Sequence, residues 1–263
     1  PSQFPIIFLD PIPLLFPPQT PPAMCTVEKR GDVFILTLTG NDEHRLNPTL
    51  ISAIRSAIAD IKSQSSPSSA AALVTTATGK FFSNGLDLRW AQSAGSSAFG
   101  DRLDHMVDAF KPVVADLLSL PMPTIAAVPG HAAAAGFVLA LSHDYFLMRR
   151  DRGLLYMSEL DIGMTFPEYF SAIFREKLGS PAARREVMLR AAKLKAEEAV
   201  RLGIVDSVHE GPEEVVAAAV RLAEKLAARK WNGEVYAEIR KGLYPELCKE
   251  LGLSKRAVVV ARL

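Results

Sequence analysis

Apolar positions along the chain fall into two kinds of period. Residues 33–38 (Val-Phe-Ile-Leu-Thr-Leu) form a β-rich run bounded by Gly31 and Gly40, which predicts a strand. Residues 72–76, 124–128, 144–148 and 154–157 read the same way, the second of them closed by Pro129-Gly130. Leu50, Ile54, Ile58 and Ile61 recur at helical spacing, and Asn47-Pro48 supplies an N-cap followed by proline at the first helical position. A further helix is expected over 134–142. Beyond residue 168 the pattern turns mostly helical, over 168–178, 181–191 and 195–202, then about 212–229 and 233–251. One short strand, 204–208, interrupts it. Alternating strands and helices followed by a helical stretch predict a layered α/β core with a C-terminal helical region. Periodicity alone does not separate this from a doubly wound sheet.

Length and charge narrow the class. The chain has 263 residues, enough to bury a sizeable core. Its net charge of +1 and the absence of a long basic run give no electrostatic footprint for nucleic acid. Arg149-Arg150-Asp151-Arg152, the densest basic spot, reads as a solvated loop. Cys25 and Cys248 cannot frame a chain of this size with disulfides, which points to a reducing compartment. No uninterrupted apolar run is long enough to span a membrane. Residues 1–23 hold eight prolines and no Lys or Arg, and Asp10 breaks their apolar run, so they predict neither a signal peptide nor a helix. They read as an upstream extension, with the functional protein starting at Met24. The expected organisation is therefore an extension (1–23), an α/β core (24–200), and a helical region with a tail (201–263).

Candidate chemistry concentrates in three segments. The first is Phe81-Phe82-Ser83-Asn84-Gly85-Leu86-Asp87-Leu88. The second runs from Ile125 to Gly136, where a strand and turn lead through Ala132-Ala133-Ala134-Ala135 into a helix. The third is Met157-Ser158-Glu159-Leu160-Asp161-Ile162-Gly163. Small residues at a loop-to-helix junction let a ligand approach the main chain, and the first N–H groups of a helix lack internal partners. A second N–H after Gly85, converging on the same point, would complete an oxyanion hole. On composition alone, residues 132–136 read as close helix packing. Glu159 alone reads as a surface carboxylate, with Asp161 and Glu168 as nearby backups and Asp87 as a structural acceptor. Other chemistries have little support. Ser158 has no GxSxG setting, the five histidines lack metal-ligand spacing, and no phosphate-binding glycine motif occurs.

In order and spacing these segments resemble the crotonase (enoyl-CoA hydratase/isomerase) superfamily over residues of about 27–260. The resemblance implies a spiral of repeated ββα units, assembled as homotrimers or hexamers. It implies that the backbone N–H groups of Leu86 and Ala135 hold a thioester oxygen and that Glu159 is the acid/base. Ser83, Asn84, Gly85, Leu86, Asp87, Leu88, Ala135 and Gly136 would contact an acyl-CoA substrate. No metal and no separate cofactor is implied, coenzyme A being part of the substrate. Lys249 and Lys255 suit phosphate contacts by charge, and Phe137, Leu139 and Phe170 suit an acyl pocket.

The chain departs from the family pattern at Ala134 and Ala135, where glycines are usual. Hydratases of this family carry a second glutamate where Val138 stands and a glycine where Pro167 stands. Residues 84–88 and 158–163 look most like the 3,2-trans-enoyl-CoA isomerase branch, including its plant peroxisomal members. A single carboxylate suffices to shift a double bond from a 3-enoyl-CoA to the trans-2 position. The remaining readings are a hydratase or other thioester-enolate enzyme, and a non-catalytic acyl-CoA-binding paralogue. Ala261-Arg262-Leu263 resembles the small-basic-Leu address read by the peroxisomal import receptor, so a peroxisomal location is expected.

Overall fold

The computed structural model describes residues 23–65 and 70–259. The proline-rich segment, up to residue 22, and the Ala261-Arg262-Leu263 tripeptide lie outside the described residues.

Two sheets organise the chain. The larger has the order β1-β2-β3-β5-β7-β10, built from β1 (Cys25–Arg30), β2 (Val33–Leu38), β3 (Ala72–Ala77), β5 (Thr124–Val128), β7 (Tyr145–Arg149) and β10 (Ser207–His209). The smaller has the order β4-β6-β8-β9, from β4 (Phe81–Ser83), β6 (His131–Ala133), β8 (Leu154–Tyr156) and β9 (Leu194–Lys195). The first strands of successive units, β3, β5 and β7, are neighbours in the large sheet. The second strands, β4, β6 and β8, are neighbours in the small one. After each pair the chain turns helical: α2 (Leu88–Gln92) and α3 (Phe99–Ser119) after β4, α4 (Ala135–Leu141) after β6, and α5 (Glu168–Lys177) after β8. This is the expected spiral of ββα units, and it excludes the doubly wound alternative.

Local sequence explains most elements. In α1 (Pro48–Ser63) the Asn47 side chain accepts from Leu50 N–H at 3.0 Å, as the cap pattern predicts, and Leu50, Ile54, Ile58 and Ile61 are buried. Strands β3 and β5 are buried along their whole length, which explains their continuous rather than alternating apolar runs. The short strands β4 and β6 lie inside two of the chemically marked segments and escape a pattern search. So does α3, a 21-residue helix with Pro112 inside and charges along its exposed face. The helix expected over 181–191 is α6 (Pro181–Arg184) continued by a wider π turn, Arg185–Leu189. After α7 (Ala196–Arg201), the short strand expected over 204–208 forms at Ser207–His209.

The stretch expected over 233–251 breaks into α9 (Gly233–Leu243) and α10 (Pro245–Glu250). Pro245 cannot continue the α9 hydrogen bonding, and the residue before it is pushed out of the helical region. The residues after 200 supply β10 as well as helices. Helix α8 (Gly211–Ala227) buries Val215, Ala218, Ala219 and Ala223 against Ile35, Val74, Ile125 and Leu147 of the large sheet. The main core lies on the opposite face, around α1, α3, α4 and α5.

Candidate active site

Strands β4, β6 and β8 run parallel and side by side, so their C-terminal ends open on one edge. Each end leads into one marked segment: β4 into Asn84-Gly85-Leu86, β6 into Ala134-Ala135, and β8 into Met157-Ser158-Glu159. The crevice beyond the carboxyl ends of parallel strands is where α/β sheets hold ligands.

The direction of the Leu86 N–H follows from its pairing. Leu46 N–H donates to Gly85 O at 2.8 Å, and Asp87 N–H donates to Leu46 O at 3.2 Å. Residues 85 and 87 thus turn their bonding groups towards Leu46. In extended chain the residue between them points its N–H the other way. That other side is occupied by residues 133–135: a Cβ built on Gly85 would stand 3.0 Å from Ala133 O and 3.4 Å from Ala135 N. Only glycine, at φ +74°, permits this approach. Among the described residues, Leu86 N–H donates to no protein acceptor.

Ala134 anchors the second donor. Its N–H donates to Tyr156 O at 2.9 Å, while its carbonyl accepts from Phe137 N–H at 2.9 Å and Val138 N–H at 3.1 Å. Ala135 opens α4, so its own N–H has no helical partner, and among the described residues it has no other. Gly136 packs on β4 so closely that a Cβ there would stand 2.3 Å from Ser83 O. The two alanines that replace glycines differ. Ala135 begins a regular helix, whereas Ala134 is held at φ 48°, ψ −125°, a conformation that favours glycine. Ala134→Gly is therefore expected to stabilise the fold by about 1 kcal/mol, the released strain being offset in part by the looser unfolded chain. For a chain of this size that raises Tm by roughly 2–4 °C. A melting temperature below the parent's would contradict the strain.

Glu159 occupies the turn after β8. Its carbonyl accepts from Met164 N–H at 2.8 Å. The residue is 7% exposed, and its Oε2 atom is buried without a hydrogen-bond partner among the described residues. Burial pushes the carboxyl above its ordinary value, opposed in part by main-chain hydrogen bonding at Ser158 and Glu159. The backups differ. Asp161 is exposed, because residues 159–163 turn instead of running extended, so it does not share the face of Glu159. Glu168 is exposed at the start of α5.

The other marked residues have defined places. Asp87 caps α2, accepting from Trp90 N–H at 3.1 Å, which fits its reading as a structural acceptor, and Leu88 begins that helix. Ser83 is buried, and its Oγ donates to His44 O at 2.8 Å. Asn84 N–H donates to Glu43 O at 2.8 Å. Lys249 and Lys255 are exposed, on α10 and on the segment after it. Phe137, Leu139 and Phe170 are buried in the core, with Phe137 packed on Phe146 and Phe174 and Phe170 on Phe110. Those three side chains fill the interior and leave no open apolar wall. Among the described residues no cluster of His, Cys, Asp and Glu has metal-site geometry.

Residues 43–46 are the part of the site that the sequence does not announce. They flank the Gly85-Leu86 loop on the side away from β6. His44 is buried at φ 43°, and its Nδ1 lies 2.9 Å from Phe81 O. Their only local mark is Asn41, whose Oδ1 accepts from Glu43 N–H and His44 N–H, an ordinary turn signal.

Comparison with known proteins gives one answer. The profile described as "Enoyl-CoA hydratase/isomerase" matches residues 29–251. The chain is 62% identical over 242 residues to the Arabidopsis thaliana protein named "Enoyl-CoA delta isomerase 2, peroxisomal", covering 91% of this chain and 100% of that one. It is 55% identical over 225 residues to the Arabidopsis "Enoyl-CoA delta isomerase 1, peroxisomal", covering 85% and 91%. Among solved structures, an apo enoyl-CoA isomerase of Mycobacterium tuberculosis shares the fold at a TM-score of 0.77 and 23% identity, covering 88% of this chain and 95% of that one. An enoyl-CoA hydratase/isomerase family protein of Pseudomonas syringae superposes at a TM-score of 0.75 and 26% identity, covering 87% and 95%. With the spiral of ββα units and the three strand ends already in place, these matches show that the chain belongs to the enoyl-CoA hydratase/isomerase family.

Proposed function

We propose that this chain is an enoyl-CoA delta isomerase, moving the double bond of a 3-enoyl-CoA, cis or trans, to the conjugated trans-2 position during β-oxidation of unsaturated fatty acids. The Arabidopsis relatives that carry this name are 55% and 62% identical. The observation that carries the chemistry is the buried Glu159 carboxyl in the turn after β8, its Oε2 without a partner among the described residues, on the strand edge that also carries two main-chain N–H groups with no acceptor among those residues.

The thioester oxygen accepts from Leu86 N–H and Ala135 N–H. Glu159, as carboxylate, removes a proton from C2, and the electron pair moves through C1 to that oxygen, giving a dienolate. The electrons then return, the C2–C3 double bond forms, and the same carboxyl delivers its proton to C4. No atom is gained or lost and no electron leaves the substrate, so the step needs no redox cofactor. A base raised above the ordinary carboxylate range is better matched to abstraction near neutral pH. Each oxyanion donor lowers the barrier by roughly 2.7–4 kcal/mol. Hydration would need a second proton-transferring group. The position where hydratases carry one is Val138, fully buried on α4, and Pro167 has no N–H to offer.

Two relatives have "peroxisomal" in their names, which supports a peroxisomal location. Import through Ala261-Arg262-Leu263, which rests on the likeness of that tripeptide to the small-basic-Leu address, and assembly as a homotrimer or hexamer, which rests on the family resemblance, complete the reading. No described helix is long and apolar enough to cross a membrane. The test is to incubate the chain with 3-hexenoyl-CoA and follow conjugated 2-hexenoyl-CoA. Binding of the ester without conversion would identify a silent paralogue instead. Formation of 3-hydroxyacyl-CoA from 2-enoyl-CoA would identify a hydratase.

A further inference from the structure

We infer that the methyl group of Ala134, wedged between the Gly85 loop and the first residue of α4, excludes acyl-CoA esters that carry a substituent on C2. The inference rests on the proposed binding of the thioester oxygen by Leu86 N–H and Ala135 N–H.

Three observations support it. Position is the first. A Cβ built on Gly85 would come within 2.9 Å of the Ala134 Cβ, so this methyl lies against the Cα of the residue just before one donor. It also belongs to the residue just before the other donor. Two bonds separate the Ala135 nitrogen from the Ala134 Cα, and two bonds separate a bound thioester oxygen from C2. This bond count keeps the methyl within reach of a substituent on C2 when the oxygen is held. Exposure is the second. Ala132, Ala133, Ala135 and Gly136 are buried, whereas Ala134 is only half-buried, so it is the one small residue of this run that keeps surface open to a ligand. Strain is the third. Hydrogen bonds to Tyr156, Phe137 and Val138 pin the Ala134 backbone in a glycine-favouring conformation. Glycine would hold the same backbone without strain. What alanine adds is the methyl, and strain kept in place at a site is how such a group is presented.

An unbranched substrate presents only hydrogens at C2. A 2-methyl substrate must place its extra carbon beside the Ala134 methyl or tilt its oxygen away from the donors. One carbon more or less in a tight site changes discrimination by about 10–200-fold.

The test compares the parent chain with Ala134→Gly in two assays. Calorimetry with hexanoyl-CoA and 2-methylhexanoyl-CoA, neither of which can isomerise, reads binding alone. Turnover of 3-hexenoyl-CoA against 2-methyl-3-hexenoyl-CoA reads kcat/KM. The parent is expected to favour the unbranched ester by about 100-fold in kcat/KM, with a preference also visible in Kd. In Ala134→Gly both preferences should shrink by about 10-fold or more. Equal preference in parent and variant, or a parent that treats both esters alike, overturns the inference. A parent that discriminates in binding but converts no 3-hexenoyl-CoA supports it and removes the isomerase reading alone.

Discussion

Glu159→Gln is expected to lower kcat for 3-hexenoyl-CoA by roughly 10⁴-fold, the upper end for general acid–base catalysis, because one carboxyl both removes and returns the proton. Glutamine keeps the shape and cannot accept the proton. The main-chain donors are untouched, so KM should change little. In the parent, kcat/KM should fall as pH is lowered, since only the ionised carboxyl is a base. The inflection should lie above the ordinary glutamate range, because burial raises this group. Stability should respond in the opposite sense. A carboxyl raised in the folded state favours protonation, so its contribution is full below the unfolded value and is lost as pH rises through the folded one. Glu159→Gln removes that loss and should be more stable than the parent at neutral pH. A variant that keeps a tenth of the parent rate would exclude Glu159 as the base.

The largest stability loss should come from Arg240, far along the chain from the marked segments. Its side chain is 2% exposed and pairs with Asp144, which is 12% exposed. Nε and Nη2 each donate to the carboxylate at 2.6 Å, and Nη1 donates to Leu117 O, Leu118 O and Leu120 O at 3.2, 3.2 and 2.8 Å. Arg240 thus fastens α9 to the end of α3 and to the turn entering β7. Burial alone would raise the Asp144 carboxyl, yet the Arg240 guanidinium holds it below its ordinary value. Arg240→Met leaves that carboxylate buried without its partner and uncaps four carbonyls, those of Leu117, Leu118, Leu120 and Met122. The expected cost is about 3–5 kcal/mol, or about 10 °C in Tm.

The pH dependence gives a second readout for the same change. In the parent, the depressed Asp144 contributes stability above the unfolded carboxyl value and loses it as pH falls through the folded one. In the variant, burial is opposed by the weaker influence of Lys177 and Thr124, and protonation relieves it. The gap between parent and variant should therefore narrow as pH falls through the carboxylate range. A gap that stays constant in thermal melts across that range would show that Asp144 is not the group left uncompensated. Asp144→Asn combined with Arg240→Met should recover part of the loss, since no uncompensated carboxylate then remains at this position.

Much of the fold was legible because it is local. The Asn47-Pro48 cap, the apolar spacing of α1 and the continuous apolar runs of β3 and β5 are each set by neighbouring residues. The helical break at Pro245 was just as local in cause, though a pattern search ran through it. The three-residue strands β4 and β6 carry too little pattern to be seen, although β8, of the same length, was legible. They exist because adjacent parallel strands supply their hydrogen bonds.

By itself, the sequence determined which groups are available: a carboxyl at Glu159, glycine at Gly85 and Gly136, alanine at Ala134 and Ala135, and a helix over about 134–142. Tertiary structure alone decided what those groups face. The Leu86 N–H points across the gap because Leu46 occupies its neighbours' bonds. Ala134 takes a glycine-like conformation because Tyr156, Phe137 and Val138 hold it there. Glu159 is raised because packing removes water from it, and desolvation belongs to the folded environment rather than to the residue.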